Sequence, residues 1–138
     1  MGDIIWQVKY YYTFVPNKVG AGARIINSLK AEGVDLFALN AFPVSAGRAQ
    51  VDLLAPNIEV LISAAKKAGI KLVGPKDAFL IQGENRVGAL ADAIAKLAEA
   101  GISVTAAQAA ASGEGRFGAI IWVRPRNVRK AARALGIS

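Results

Sequence analysis

Apolar and polar positions along the chain follow strand and helix periods in turn. Residues 4–15 are rich in Ile, Val, Tyr, Phe and Thr, which favour a pleated strand over a helix. Over residues 19–31 the apolar positions recur at helical spacing, and Gly33 follows where a left-handed C-cap belongs. The pattern predicts a strand and then a helix that ends before Gly33. The helix positions expected to be buried are Val19, Ala23, Ile26 and Leu29.

The rest of the first half continues this alternation. Two apolar-alternating stretches flank a Ser-Ala-Gly turn at residues 45–47, which indicates a hairpin. A Pro-Asn pair then opens a second helix that a glycine closes. The predicted elements are strands at 34–44 and 47–54, a helix at 58–68 between Asn57 and Gly69, and a fourth strand at 70–73.

The same pattern then repeats. The segment Asn-Lys-Val-Gly-Ala at 17–21 recurs as Asn-Arg-Val-Gly-Ala at 85–89, a shift of 85 − 17 = 68 residues, and the match continues without a gap through the helix. A shift of about half the chain indicates duplication of a whole domain. The second copy predicts elements at 78–82, 87–100, 102–110, 117–123 and 127–135.

The second copy ends too soon for a full fourth strand. Only three residues follow its last predicted helix. That edge of the sheet is therefore either absent or completed by residues 4–15 or by another chain.

Each copy has the order βαββαβ, which is that of the ferredoxin-like split βαβ fold. The expected fold class is therefore α+β, with two ferredoxin-like modules whose antiparallel sheets carry both helices on one face. We place the modules at residues 1–75 and 76–138, the second with a truncated last strand.

The repeated loop is the candidate binding site. It lies where the first strand turns into the first helix, and the N–H groups of a helix N-terminus suit a carboxylate or phosphate. The glycine lets a ligand approach the backbone, and the asparagine can cap the helix or bind the ligand. The alternative is that the loop is only a helix cap and a tight turn, which would need the same residues and bind no ligand. The candidate residues are Asn17, Lys18, Val19, Gly20 and Ala21 in the first copy and Asn85, Arg86, Val87, Gly88 and Ala89 in the second.

Composition narrows the function classes. The chain has no cysteine and no histidine, which removes thiol and serine-triad catalysis, histidine relays and the common zinc sites. We therefore expect no catalytic residue, no metal site and no cofactor. The apolar runs are too short to span a bilayer and the first residues are not basic, so we expect a cytoplasmic protein without a membrane partner.

Positive charge is concentrated near the C-terminus. The formal net charge is +7 at pH 7, and residues 116–138 contain arginine and lysine side chains but no acidic residue. Four of these bases, Arg126, Arg129, Lys130 and Arg133, recur at helical spacing. This spacing is typical of a solvated helix face, and a polyanionic partner is the alternative.

Both copies resemble the ACT domain family of small amino-acid-sensing modules, closest to the stand-alone tandem type. The similarity lies in the Asn-(Lys/Arg)-Val-Gly loop and in the segments at 33–36 and 101–104, which open the second strand of each copy. It covers nearly all of residues 7–136. The resemblance implies paired modules that bind small amino acids at their interface, through this loop and the start of strand two. On that basis Asp35 and Ser103 join the candidate ligand contacts.

Two departures from the family pattern distinguish this chain. The loop proline of the family is replaced by Val19 and Val87, and its usual asparagine by Asp35 and Ser103. An aspartate attracts an ammonium group but repels a carboxylate, so the two sites need not be equivalent.

The expected function is a regulatory sensor without catalytic activity. It would bind a small amino acid or related carboxylate and act through module pairing or through a partner enzyme of amino-acid metabolism. A homodimer is expected because edge strands and apolar faces of such modules usually pair.

The alternative is a nucleic-acid-binding protein that uses a basic ferredoxin-like sheet. It would need base-stacking aromatics on the first and third strands, for which the second copy offers Phe79 and Phe117, but the RNA-recognition signature is missing. An acylphosphatase-like hydrolase on the same fold would need an arginine in a phosphate-binding loop and a positioned asparagine. Arg86 beside Asn85 is only a weak approximation to that pair.

Overall fold

The structure, a computed structural model, describes residues 2–137. Its strands are β1 Ile4–Pro16, β2 Ala38–Ser45, β3 Arg48–Leu54, β4 Val73–Glu84, β5 Val104–Gly113 and β6 Arg116–Val123. Its helices are α1 Ala21–Ala31, α2 Ile58–Ala68, α3 Ala91–Glu99 and α4 Val128–Ala134, the last preceded by a 3-10 turn at Pro125–Asn127. Within the described residues, no helix is long and apolar enough to cross a membrane.

The chain forms two compact units. The central unit comprises Lys9–Lys76, and the terminal unit comprises the residues up to Val8 together with those from Asp77 onward. The modules predicted at 1–75 and 76–138 differ from this division mainly in residues 2–8, which lie in the terminal unit.

In the central unit both helices pack against the same strands. The strand order is β4-β1-β3-β2, and β3 pairs antiparallel with both β1 and β2. Leu29 of α1, Leu61 of α2 and Leu53 of β3 are fully buried together in the core. The helical and alternating spacing of these apolar residues is what brings the helices onto one face of the strands.

The terminal unit has the strand order β1-β4-β6-β5, with the first part of β1 at one edge. Phe79 of β4, Leu97 of α3 and Ile121 of β6 are fully buried in its core, and Ile5 of β1 packs against that core. The edge that the sequence left open is therefore completed by the start of β1.

Helix α2 has the bounds that the sequence predicts. The Asn57 side chain accepts hydrogen bonds from the N–H groups of Glu59 (3.1 Å) and Val60 (3.2 Å), and Gly69 ends the helix in the left-handed conformation at φ 73°. The prediction of a helix at 58–68 between these two residues is confirmed.

The prediction of separate strands at 70–73 and 78–82 is wrong, because β4 runs without a break from Val73 to Glu84. Gly74 and Pro75, two residues of a kind that usually interrupts regular structure, lie within this strand. A proline is tolerated within a strand wherever no neighbour needs its N–H, so the pair does not end β4.

The prediction that Val19 is buried, with Val87 in phase, is also wrong. Both side chains are fully exposed, at 103% each, because α1 begins only at Ala21 and α3 at Ala91. Ala23, also expected to be buried, is exposed within α1, as is its equivalent Ala91 in α3. The two helices still agree in phase, since Leu29 and Leu97 are both buried.

A carboxyl group is buried on β3. Asp52 is 3% exposed and lies opposite Tyr12 of β1 and Asn40 of β2. Its Oδ1 accepts a hydrogen bond from Gln50 Nε2 at 2.8 Å. Burial raises the pKa of Asp52 above its ordinary value of 3.8, while hydrogen bonds from Gln50 and Asn40 and the charge of Lys76 oppose that rise.

We expect Asp52→Asn to stabilise the protein increasingly as pH rises. A carboxyl group whose folded pKa is raised contributes its stability below pH 3.8 and loses it as pH rises through the folded pKa. Asparagine has no such loss and can still accept from Gln50. Urea unfolding between pH 3 and pH 8 measures this difference. Exposed Asp35→Asn is the control, and a constant difference across that range would contradict the prediction.

Candidate functional site

Backbone hydrogen bonds hold the first loop, residues 17–21. The Asn17 N–H donates to the Gly47 carbonyl in the β2–β3 turn at 2.9 Å. Gly20 then adopts the left-handed conformation at φ 88°, and α1 begins. A Cβ at Gly20 would meet nothing within 4 Å, so the positive φ, rather than lack of space, favours glycine here.

The second loop, residues 85–89, shares its hydrogen bond and its left-handed glycine with the first, although its helix begins later, at Ala91 rather than directly after the glycine. The Asn85 N–H donates to the Gly115 carbonyl in the β5–β6 turn at 2.7 Å, and Gly88 has a φ of 68°. The repeat in the sequence thus corresponds to a repeat in loop geometry.

Each loop presents unpaired N–H groups at the start of its helix. No backbone carbonyl within residues 2–137 accepts from Gly22 or Ala23 of α1, or from Asp92 or Ala93 of α3. Such groups, together with the helix dipole, can receive an anionic group.

The asparagines do not cap the helices. The residue before α1 is Gly20 and the residue before α3 is Leu90, and neither helix has a side-chain cap. Of the two roles that the sequence allows for Asn17 and Asn85, capping the helix is therefore not observed. Both asparagines are exposed, which leaves their amides accessible to a ligand.

The basic residues of the two loops have different surroundings. Arg86 donates from Nη1 to Asp3 Oδ1 at 3.0 Å and to the Glu84 carbonyl at 2.9 Å, and from Nη2 to Asp3 Oδ2 at 3.0 Å and to the Ala89 carbonyl at 3.3 Å. The hydrogen bonds with Asp3 raise the pKa of Arg86. The Lys18 side chain, by contrast, is exposed and makes no hydrogen bond or ion pair within the described residues.

A cleft of about 370 Å³ lies beside the second loop. Most of its lining residues are alanine or glycine, with one aromatic residue, and they come from the loop, from the start of α3 and from the two strands β5 and β6. The lining residues are Asn85, Gly88, Ala89, Leu90, Ala91, Ala109, Ala110, Ala111 and Phe117. Sequence reasoning missed the β5 alanines, because residues of this kind carry no functional signature.

Asp35 and Ser103 are not near the loops of their own units. Asp35 lies just before the start of β2, whereas the opposite end of β2 lies beside Arg48, which also pairs with Pro16 next to the first loop. Ser103 lies just before the start of β5 in the same way. A strand of this length separates its ends by roughly 20 Å. Within one unit, neither residue can touch a ligand that is bound at the loop.

The described residues offer little for stacking on nucleic-acid bases or for binding a metal ion. Phe79 and Phe117, the candidate base-stacking aromatics, are 0% and 4% exposed in the core of the terminal unit, so they cannot stack on RNA bases. Within residues 2–137, no group of three or more acidic residues is placed to hold a metal ion.

Several solved structures share this fold. Protein BT0572 from Bacteroides thetaiotaomicron matches with a TM-score of 0.79 at 22% identity, over 95% of this chain and 88% of that one. The ligand-free regulatory subunit of aspartate kinase from Thermus thermophilus matches at 0.61 and 17%, over 98% and 95%. A putative C-terminal regulatory domain of aspartate kinase from Porphyromonas gingivalis matches at 0.54 and 15%, over 96% and 94%.

These similarities show a shared, ACT-like fold of the kind found in regulatory domains. No protein-family model matches the sequence, and no curated protein matches it.

Proposed function

We propose that this protein is a regulatory sensor, without catalytic activity, that binds a small amino acid or related carboxylate at its two repeated loops. The observation that carries the proposal is the recurrence in both units of a loop with the same asparagine hydrogen bond and the same left-handed glycine, followed in each unit by a helix whose first N–H groups are unpaired. The fold shared with regulatory domains of aspartate kinase supports it.

In this proposal each unit is one ferredoxin-like βαββαβ module. Its first strand lies between its fourth and its third, and its second strand lies at the edge: β4-β1-β3-β2 in the central unit and β1-β4-β6-β5 in the terminal unit. The start of β1 takes the place of the fourth strand in the terminal unit. Both helices of each unit contribute to a single core.

The first loop is the better anion site of the two. Its Lys18 has no acidic partner within the described residues, whereas Arg86 of the second loop is paired with Asp3. Two further acids, Glu84 and Asp92, interact with Arg86. A carboxylate at the second loop would meet these negative charges, so we assign the stronger carboxylate binding to the first loop.

The residue types at the loops suit binding rather than chemistry. Each loop supplies backbone N–H groups, one side-chain amide and one positively charged side chain. It supplies no nucleophile and no group that would act as a general base in catalysis. Regulation would then be transmitted by association, either with a second copy or with an enzyme of amino-acid metabolism.

We expect Gly20→Val to weaken ligand binding in addition to weakening the fold. The branched side chain would stand where the ligand approaches, and its strain at positive φ costs about 1–2 kcal/mol. The loss in affinity should be about tenfold or more, which is about 1.4 kcal/mol or more. A thermal-shift screen with the twenty amino acids and common 2-oxo acids first identifies the ligand. Calorimetric titration and urea unfolding then measure affinity and stability.

Gly33→Val is the matched control for this variant. Gly33 also has a positive φ, 75°, with nothing within 4 Å of a Cβ, but it lies at the opposite end of α1. It should lose similar stability and keep full affinity. The pair Gly88→Val and Gly101→Val repeats the comparison in the terminal unit, where Gly101 has a φ of 73°. If both loop variants bound the ligand like the parent, the loops would be structural turns and the proposal would fail.

We also expect a homodimer that depends on the β2 edge of the central unit. This edge strand and the residue before it carry four exposed large apolar side chains, Phe37, Leu39, Phe42 and Val44. Pairing with a second copy would cover them and satisfy the open strand edge. Leu39→Lys should shift the chain to monomer in sedimentation velocity. Ile62→Lys on α2 is the control, since Ile62 is exposed to the same degree, at 40% against 39% for Leu39. Dissociation by the control alone would place the interface on the helices.

A further inference from the structure

Arg86 makes contacts that a ligand-binding residue does not need. All four of its hydrogen bonds go to the protein itself, two to the Asp3 carboxylate and two to carbonyls of Glu84 and Ala89 at either end of the loop. The two parallel bonds to Asp3 form a fork, the geometry in which guanidinium and carboxylate pair most strongly. Arg86 thus joins the N-terminal segment to both ends of the loop.

The chain is shaped to bring Asp3 to this position. A Cβ at Gly83 would collide with the Asp3 carboxylate, so the glycine makes room for it. Asp3 directly precedes β1, and Ile5 of that strand packs against the core of the terminal unit. The Asp3 side chain is 19% exposed, so the pair is partly shielded from water.

The other copy lacks this arrangement. At the shift of 68 residues, Asp3 corresponds to 3 + 68 = 71, which is Lys71, and Gly83 corresponds to 83 − 68 = 15, which is Val15. The acid is replaced by a base and the open glycine by a branched side chain. The pair therefore belongs to the terminal unit and not to the loop motif as such.

We propose that Arg86 is a positioning residue that couples the attachment of the N-terminal strand to the conformation of the second loop. The strand, residues 4–8, and the loop, residues 85–89, then open and close together. This inference rests on the proposed function in one respect only. If the second loop binds a ligand, occupancy of that loop and attachment of the N-terminal strand influence each other.

Hydrogen exchange of the ligand-free full chain, followed by mass spectrometry, tests the coupling without any ligand. Asp3→Asn should speed exchange of residues 4–8 and also of residues 85–89, by roughly two- to fivefold for a partly exposed pair. Arg86→Gln should speed both segments as well, and the double variant should add little to either single one. Asp92→Asn is the control, because it removes a nearby acid that forms no hydrogen bond with Arg86.

A charge-swapped chain, Asp3→Arg with Arg86→Asp, separates positioning from general stability. This chain restores the ion pair, but it has no guanidinium at position 86 to donate to the two loop carbonyls. The hydrogen-exchange rate of residues 4–8 should therefore return towards that of the parent, while residues 85–89 should still exchange faster than in the parent. Unchanged exchange in α2 would confirm that the variants are folded. The inference is overturned if Asp3→Asn affects only its own segment, or if the effects of the two single variants multiply in the double variant. Neither result bears on ligand binding at the first loop.

Discussion

Each loop depends on one backbone hydrogen bond, from an asparagine N–H to a glycine carbonyl in the neighbouring hairpin turn. In the central unit it joins Asn17 to Gly47, and in the terminal unit it joins Asn85 to Gly115. Because the bond ties the end of the strand to the turn, it fixes the point at which the chain leaves the sheet. A left-handed glycine follows three residues later and turns the chain towards the helix, which begins directly after Gly20 in the central unit and at Ala91 in the terminal unit. The position of the unpaired helix N–H groups, on which the proposed binding relies, follows from these two features.

Much of the fold could be predicted from periodicity, since the spacing of large apolar residues indicates which side of a regular element packs on a sheet. Helix α2 and the buried pair Leu29 and Leu97 are examples. The errors lie where spacing does not determine structure. Val19 continues the helical pattern but precedes the helix, because the turn at Gly20 requires a conformation that no helix contains. The assignment of residues 2–8 to the terminal unit depends on contacts with residues far along the chain, which local patterns do not encode.

The candidate site was predictable in its backbone and less so in its side chains. The repeated glycine identified both loops, because only the left-handed conformation demands that residue at an exposed turn. The partner of Arg86 was not predictable, since Asp3 lies 83 residues away and nothing in the motif refers to it. The family pattern also grouped Asp35 and Ser103 with the loops, whereas each lies a full strand length from the loop of its own unit. A duplicated loop can thus keep its backbone while its charged surroundings diverge.

The fully exposed valine in each loop is consistent with this view of the site. An isolated apolar side chain on a surface needs no explanation. Here, however, the same residue projects fully into solvent at the same point of both copies, Val19 and Val87, a few residues before the unpaired N–H groups. Covering one valine side chain is worth about 1.5 kcal/mol, which corresponds to about a tenfold gain in affinity. A carboxylate alone would satisfy the N–H groups and leave the valine exposed. A ligand that carries an apolar group next to its carboxylate, as many amino acids do, would satisfy both, and for this reason our proposal names amino acids rather than simple anions.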